Sequence, residues 1–438
     1  MRNTIFSFSL SLAFRIAVLL SPGMAEATEL QRPAQAASYS EQIEPTVESD
    51  GDALAEDAVE YASQFGVSHE EAMHRLAAQE ASVPVTDALA ERYRDRLAGI
   101  AIEHRPSYRI VVNLTGMKPV AAERMVLNGQ TTPIVFRTGA LVTRDRVIWA
   151  MTNHQAAIRS ALTRPSGMGL DPRSGELVVI ISKAEASEGV NAVKAKLEAI
   201  AGVPVQVRVL DRIDKNLSVE GGSRLESMGA ANNRRYMCTS GFVVTDGVRD
   251  GVATAAHCAD TMTYYDPQHN PTPLTFVGQW GWGYRDVQIN AAPYALPPLF
   301  YADSARTRSR PVNSQRTHAA TRAGDFVCHR GEATGYSCAL VELTDFAPAG
   351  DLCGGACLPT WVTISGPKCK AGDSGSPVFS GTTAFGLVKG ASYRPDGSCA
   401  FYFYMPIDYL PSGWTLRRAT LSPSSTRVLP PISAAKIN

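Results

Sequence analysis

The spacing of apolar residues divides the chain into a first part dominated by helices and a later part dominated by strands. Near the start, helices are predicted over residues 53–65, from a capping box at Ser68 and Glu71 to Leu76, and over residues 85–97. Each of these segments repeats its apolar residues at the three- to four-residue spacing that places them on one helix face. The N-terminal part therefore begins as helices that need a surface to pack against.

From residue 99 the pattern becomes mixed. Strands and helices are predicted in the order strand 108–114, strand 133–137, a possible strand 146–151, helix 153–163 with Asn153 as its cap, strand 176–182, helix 184–200 ended by Gly202, and strand 204–210. Helices interspersed with a few strands indicate an α+β fold in which helices pack on a small sheet.

From residue 235 onward the chain has the pattern of an all-β fold. Short strands with frequent turns are predicted at 236–247, 252–256, 261–265, 274–277, 286–290, 326–328, 336–342, 361–364, 377–380, 384–389 and 400–406. Residues 293–320 are irregular and rich in Pro, Arg and Ser, which suits a link between two β-structures. The pattern predicts a sandwich or a pair of barrels.

Charge and cysteine content narrow the class of protein. The 438 residues include 42 basic and 42 acidic side chains, so the net charge of zero argues against a general nucleic-acid binder or a strongly cationic membrane binder. All eight cysteines lie between Cys238 and Cys399. This asymmetry indicates a domain boundary and an oxidising destination for the C-terminal part.

The first 27 residues have the features of a secretory signal. Arg2 precedes a mostly apolar run, and Ala25-Glu26-Ala27 fits a small-x-small cleavage site. A membrane anchor is the alternative, but the run is short for a membrane span. We therefore expect a secreted protein, with residues 28–50 as a polar lead-in.

A short stretch from Lys370 to Pro377 carries the strongest chemical signal. Ser374 lies between small residues in Gly-Asp-Ser-Gly, and the N–H groups of Gly372 and Ser374 could both face an oxygen that becomes negative during acyl transfer. The competing interpretation is an ordinary turn of Gly, Ser and Asp between two strands. A histidine and a second acid upstream would favour the catalytic interpretation.

His257 is the candidate base, because it ends an apolar run of small residues and stands beside Cys258. An imidazole titrates in the range needed to take a proton from a serine hydroxyl. Asp286 opens an alternating apolar stretch and is the predicted partner of the imidazole. Three other acids lie in loop or proline-bounded settings that suit this role less well: Asp260, Asp266 and Asp303.

Three motifs together resemble the streptogrisin and α-lytic type of chymotrypsin-fold serine protease. They are Thr-Ala-Ala-His-Cys at 254–258, Gly-Asp-Ser-Gly at 372–375, and the cysteine-bearing stretch 324–335. The candidate catalytic residues also follow the chain order of chymotrypsin-like enzymes, which is His257, Asp286, Ser374. The resemblance implies two six-stranded β-barrels, with Ser374 in the second and the other two residues in the first. It implies peptide-bond hydrolysis through an acyl-enzyme on protein or peptide substrates, without metal or cofactor.

The same resemblance implies three disulfides, Cys238–Cys258, Cys328–Cys338 and Cys369–Cys399, and leaves Cys353 and Cys357 as an extra local pair. Sequence alone leaves 105 connectivities for eight cysteines. A zinc site is the rival use of these residues, but no Cys-x2-Cys pair is matched by a second ligand pair at finger-like spacing.

Residues 98–112 and 170–179 resemble the pro-region of the same proteases, which assists folding and inhibits the active site until it is cut away. The predicted organisation is signal 1–27, α+β pro-region 28–220, catalytic domain 221–420 and tail 421–438, with cleavage between Ser218 and Gly222. A binding domain retained in the mature protein is the alternative. We expect a monomer.

Two residues depart from the family pattern. Ser376 stands where glycine is usual and could crowd the backbone beside the nucleophile. Lys389 stands where serine is usual; it could pair with an acidic substrate, weaken Asp286 as the imidazole partner, or point to solvent, and we expect the solvent-facing position. These departures leave open a catalytically impaired protease-fold binding protein as an alternative. An esterase that uses the same chemistry is a second alternative to a protease.

Overall fold

The computed structural model describes residues 45–164, 166–210, 215–216, 224–228, 235–366 and 368–419. The predicted signal sequence, the predicted cleavage segment 218–222 and the predicted tail 421–438 lie outside the described residues. In the part of the chain covered by these ranges, no helix is both long enough and apolar enough to cross a membrane.

The N-terminal part contains all five α-helices of the described ranges. Its elements are β1 (Thr46–Val47), α1 (Asp50–Phe65), α2 (His69–Ala81), α3 (Val83–Arg92), β2 (Leu97–Glu103), β3 (Arg109–Thr115), β4 (Glu123–Leu127), β5 (Gln130–Ala140), α4 (Arg144–Ser160), β6 (Gly167–Asp171), β7 (Glu176–Ile181), α5 (Val190–Ala201) and β8 (Val205–Val209). The predicted α+β fold is confirmed.

The capping signals set several helix ends as predicted. The Ser68 hydroxyl accepts a hydrogen bond from the backbone N–H of Glu71 at the start of α2, and Gly202 ends α5 in the left-handed conformation (φ +63°). The prediction for α3 was too long, because α3 stops at Arg92 and Leu97 already begins β2.

The predicted strand 146–151 and the Asn153 cap are wrong. Both positions lie inside α4, whose N-cap is Thr143; its hydroxyl accepts from the N–H of Arg146 at 3.3 Å. Val147, Met151 and Ile158 are buried on one face of this helix and pack with α5 on the sheet that contains β6, β7 and β8. This packing outweighs the strand preference of the run Val-Ile-Trp.

The described chain from residue 215 onward is built from strands, of which the first precedes the predicted boundary near residue 220 and the others form the C-terminal part. They are β9 (Lys215–Asn216), β10 (Arg224–Met228), β11 (Arg235–Thr239), β12 (Val243–Thr245), β13 (Asp250–Thr254), β14 (Thr263–Tyr265), β15 (Pro271–Pro273), β16 (Thr275–Trp280), β17 (Val287–Ala291), β18 (Leu299–Tyr301), β19 (Arg308–Pro311), β20 (Ser314–Gln315), β21 (Phe326–Gly331), β22 (Gly335–Val341), β23 (Asp345–Ala347), β24 (Val362–Ser365), β25 (Pro377–Ser380), β26 (Thr383–Tyr393), β27 (Cys399–Pro406) and β28 (Thr415–Leu416).

Six of these strands close into a barrel. Their order is β26, β25, β21, β22, β24, β27 and back to β26, with every neighbouring pair antiparallel. The preceding half forms a five-stranded sheet (β16-β17-β13-β12-β28) and a four-stranded sheet (β11-β10-β14-β15). The predicted all-β fold with two β-structures is confirmed, and the supposedly irregular link contains the hairpin of β18 and β19.

The N-terminal and C-terminal parts share sheets and core within one compact unit, residues 44–438. Strand β23 adds to the edge of the β6-β7-β8 sheet by pairing antiparallel with β6. At a second contact, β1 pairs with β19, and buried Arg310 of β19 forms ion pairs with Glu48, Glu56 and Asp57 at 2.7–2.9 Å. The predicted boundary near residue 220 remains a prediction.

Candidate active site

The structure brings together the three residues that sequence analysis selected. Nε2 of His257 lies 2.7 Å from Oγ of Ser374, and Nδ1 of His257 lies 2.9 Å from Oδ2 of Asp286. Both are hydrogen-bond distances. Asp286 and Ser374 are buried, while the His257 side chain keeps 16% of its exposure. The imidazole thus bridges a hydroxyl and a carboxylate.

Neighbouring strands explain why His257 and Asp286 meet. His257 follows the end of β13, and Asp286 directly precedes β17; the two strands pair antiparallel with Thr254 opposite Gln288. The end of one strand and the start of its antiparallel neighbour lie at the same edge of the sheet. Ser374 comes from the turn before β25 of the closed barrel, so the site lies where the two β-structures meet.

Glycines and a threonine fix the turn that carries Ser374. Gly372 and Gly375 both have positive φ, +115° and +83°, which favours glycine. A Cβ on Gly375 would lie 2.2 Å from the hydroxyl of Thr254, so no larger residue fits there. The Thr239 hydroxyl donates to the carbonyl of Gly372 at 3.0 Å, and the Thr239 N–H donates to the carbonyl of Ser374 at 2.7 Å.

Ser376 extends this bracing. Its buried hydroxyl donates to the Thr239 hydroxyl at 3.0 Å, so the side chain has a hydrogen-bonded place beneath the turn. Thr239 was missed by sequence reasoning, because its only local signal is that it follows Cys238. Its role depends on contacts with residues more than 130 positions further along the chain.

Asp373, next to Ser374, is held by hydrogen bonds. Its Oδ2 accepts from the N–H of Lys370 and from the hydroxyl of Thr334, both at 2.9 Å. In the described ranges no basic side chain forms an ion pair with it. Burial therefore dominates and raises the pKa of Asp373 to about 6.

This raised pKa predicts a pH-dependent contribution to stability. Because the folded chain holds a proton on Asp373 that the unfolded chain has released, the stabilisation is complete below about pH 4 and is lost as pH rises through about 6. The loss is expected to be about 3 kcal/mol between pH 4 and 7. Urea unfolding at a series of pH values should show that the unfolding free energy of the full chain falls more steeply with rising pH than that of Asp373→Asn.

Exposed Asp351 gives the control, because Asp351→Asn should follow the parent at every pH. Both variants are compared in a Ser374→Ala background to prevent self-cleavage. A difference between the parent and Asp373→Asn that stays constant from pH 4 to pH 7 would contradict the assignment.

The expectation that Lys389 points to solvent is wrong. Its side chain is 1% exposed, and its Nζ lies 3.5 Å from Oδ2 of Asp286. Burial opposes ionisation of Asp286, but His257 and Lys389 outweigh it, and the pKa of Asp286 is lowered. Asp286 is therefore a carboxylate with two cationic or proton-donating neighbours. Its backbone N–H also contacts the sulfur of Met405 at 3.3 Å.

Four disulfides join the cysteines in the predicted pairs: Cys238–Cys258, Cys328–Cys338, Cys353–Cys357 and Cys369–Cys399. The first lies beside His257 and the last precedes the turn of Ser374. Asp57 lies close to Cys328 and Cys338, but both sulfurs are bonded to each other and offer no thiolate to a metal.

The acids set aside in the sequence have other roles. Asp266 accepts hydrogen bonds from the backbone and side chain of Asn270, and Asp303 accepts from the backbone of Thr307 and Arg308. Both carboxylates stabilise local turns.

Comparisons with known proteins find partial similarities. The chain is 29% identical over 194 residues to Streptogrisin-C of Streptomyces griseus, a match that covers 42% of this chain and 38% of that relative. The chain thus spans well under half of the relative's length. No family model matches the chain.

Solved structures with partial similarity include three bacterial proteases. They are Thermobifida fusca protease A (23% identity, 46% of this chain and 99% of that one, TM-score 0.36), Nocardiopsis protease (21%, 43% and 93%, 0.34) and an α-lytic protease homolog, N4 (21%, 45% and 99%, 0.33). The Streptogrisin-C match confirms the predicted resemblance to streptogrisin-type serine proteases, and this chain is similar to that relative over 194 residues.

Proposed function

We propose that this chain is a secreted serine endopeptidase made as an inactive precursor. The observation that carries the proposal is the continuous hydrogen-bond path from Ser374 through His257 to Asp286, at 2.7 and 2.9 Å. A serine hydroxyl aligned with a base, which is itself oriented by a carboxylate, is the arrangement required for nucleophilic acyl transfer. The four disulfides support an oxidising destination.

In the proposed mechanism, Ser374 attacks the carbonyl carbon of a peptide bond while Nε2 of His257 takes the hydroxyl proton. Asp286 holds the imidazole through Nδ1 and stabilises its charged form. The N–H groups of Gly372 and Ser374 are the proposed donors to the oxyanion. His257 then protonates the leaving amine, and water attacks the acyl-enzyme to release the second product and restore Ser374.

The pairing of β9 supports an inhibitory role for the N-terminal part. The backbone of Lys215–Asn216 forms an antiparallel ladder with β26, with Asn216 opposite Gly390 and Lys215 opposite Ala391. Gly390 directly follows Lys389, the neighbour of Asp286. An extended peptide that adds to a strand edge in this way has the backbone geometry of a bound substrate. We propose that β9 occupies the substrate strand position until cleavage near Ser218–Gly222 releases it.

A serine-directed phosphonate probe tests the proposed function. We expect a single covalent adduct, located by peptide mass analysis on Ser374, that forms slowly on the intact chain and rapidly after the N-terminal part is cut. His257→Ala should stay unlabelled, because the hydroxyl then lacks its base. If trimmed wild-type protein is neither labelled nor able to hydrolyse casein, the catalytically impaired binding protein is the better account.

A further inference from the structure

Lys389 occupies an unusual place for a lysine, because its side chain is buried beside the acid of the site. It belongs to β26 and is among the largest fully buried side chains of the described ranges. A buried ammonium group is costly unless other groups compensate for its lost hydration. The contacts of Nζ are therefore informative.

Three groups of negative potential surround Nζ. The carbonyl of Leu352 accepts its hydrogen bond at 2.9 Å, Oδ2 of Asp286 lies at 3.5 Å, and the ring of Trp361 has its centre at 4.9 Å. A carboxylate, a carbonyl and an aromatic face all favour a cation. The disulfide Cys353–Cys357 closes the loop that starts at Leu352, so this loop holds the carbonyl in place.

The two neighbours of Asp286 share one oxygen. Oδ2 accepts from Nδ1 of His257 at 2.9 Å and also faces Nζ of Lys389 at 3.5 Å. A positive charge on Lys389 partly neutralises the carboxylate and repels a second positive charge on the imidazole. The carboxylate then stabilises the protonated imidazole less than it would alone.

We propose that Lys389 is a positioning residue that weakens the hold of Asp286 on protonated His257, so that His257 stays neutral and able to act as a base at lower pH. The inference rests on the proposed function of the site. With Lys389 beside Asp286, the same triad would work in a more acidic medium than it would with a serine at position 389.

Among the described residues, few other charges lie around Asp286. From the end of β13 the facing group is His257, and from β26 it is Lys389. From β27 the neighbour is the thioether of Met405, and from the segment before β24 the lysine meets Leu352 and Trp361. Adjacent Arg285 stacks on the ring of Tyr284 at 4.7 Å. The electrostatic environment of the Asp286 carboxylate therefore depends mainly on Lys389 and the imidazole of His257.

A role for Lys389 in binding acidic substrate residues is less consistent with its contacts than an effect on Asp286. Nζ is buried and hydrogen-bonded to Leu352, and it faces the carboxylate of the site itself. To reach a substrate it would have to leave these groups and leave Asp286 without its second cation. The geometry favours an effect through Asp286.

The test uses the full chain in a Ser374→Ala background, which cannot process itself. The titration of the His257 ring is followed by NMR, with the signal assigned through its loss in His257→Gln. Replacing Lys389 with methionine should move the midpoint upward by about one pH unit. Lys389→Ser, which is smaller and still polar, should shift it in the same direction and covers the case in which the methionine variant fails to fold.

Matched variants separate charge from structure. Lys389→Arg keeps the charge and should stay near the parent midpoint, while Lys368→Met removes an exposed lysine and should leave the midpoint unchanged. An unchanged or lowered midpoint in folded Lys389→Met and Lys389→Ser would overturn the proposal.

The pH profile of kcat/KM gives the second readout after the N-terminal part is cut. Its acid limb should move upward by the same amount in Lys389→Met and Lys389→Ser, with a smaller change at the optimum. A uniform loss at every pH, with no movement of the limb, would show a merely structural role. Because the NMR titration needs no turnover, a wild-type protein without activity would count against the proposed function only.

Discussion

Replacing Ser374 with alanine is expected to lower kcat for peptide hydrolysis by a factor on the order of 10⁶. Oγ of Ser374 is the protein atom that the proposed mechanism bonds to the substrate, and its hydroxyl lies 2.7 Å from Nε2 of His257, the proposed base. Expression of the full chain beside its Ser374→Ala copy, followed by intact mass and casein hydrolysis, measures the effect.

The two masses also report on maturation. If wild type is trimmed near Ser218–Gly222 while Ser374→Ala keeps its full length, the chain processes itself. If both are trimmed alike and only wild type cleaves casein, another protease performs the cut. Exposed Ser398→Ala is the matched control and should behave as wild type. Casein hydrolysis by purified Ser374→Ala at the wild-type rate would remove Ser374 from the mechanism.

Loss of Arg310 is expected to lower the unfolding free energy of the full chain by about 3–5 kcal/mol. This guanidinium is fully buried and pairs with Asp57 at 2.8 Å, Glu48 at 2.7 Å and Glu56 at 2.9 Å. Arg310→Met would fill similar space but leave the buried carboxylate of Asp57 without a cation, while Glu48 and Glu56 would keep only the half-exposed Arg308. Asp57 would keep its hydrogen bonds from the Tyr336 hydroxyl and the N–H of Gly381, which do not replace the charge.

Arg308 provides the matched comparison, because it also pairs with Glu48 and Glu56 but is half exposed. Arg308→Met should cost less than about 1 kcal/mol, since solvent screens an exposed ion pair. Urea unfolding of both variants in the Ser374→Ala background measures the difference. Equal losses for the two arginines would mean that burial of Arg310 is not what matters.

The residues of the candidate site were predictable from sequence because their signals are local. Gly-Asp-Ser-Gly, the small residues before His257 and the alternating stretch after Asp286 each constrain a short segment of backbone. Helices α1, α2 and α5 were predictable for the same reason. Their ends depend on residues such as Ser68 and Gly202, whose effects reach only one turn.

The sequence predictions that were wrong concern residues whose structure depends on partners far away in the chain. The strand-like run inside α4 becomes a helix because Val147, Met151 and Ile158 pack together on the sheet of β6, β7 and β8. Likewise, nothing near Lys389 in the sequence indicates burial, because its contacts come from two distant segments: Leu352 and Trp361 from the one before β24, and Asp286 from the one before β17. Solvation of a side chain is a property of the assembled fold.

The pairing of β23 with β6 has a consequence for the colloidal behaviour of the mature protein. If the N-terminal part leaves as proposed, β23 loses its partner and presents unpaired backbone groups at an open sheet edge, which invites strand addition and aggregation. The edge is three residues long, and Asp345 would lose its ion pair with Arg144, which leaves the imidazole of His318 at 3.8 Å as its remaining basic neighbour among the described residues. Short length and charge both discourage edge-to-edge association, so we expect the released protein to stay soluble despite the exposed edge of β23.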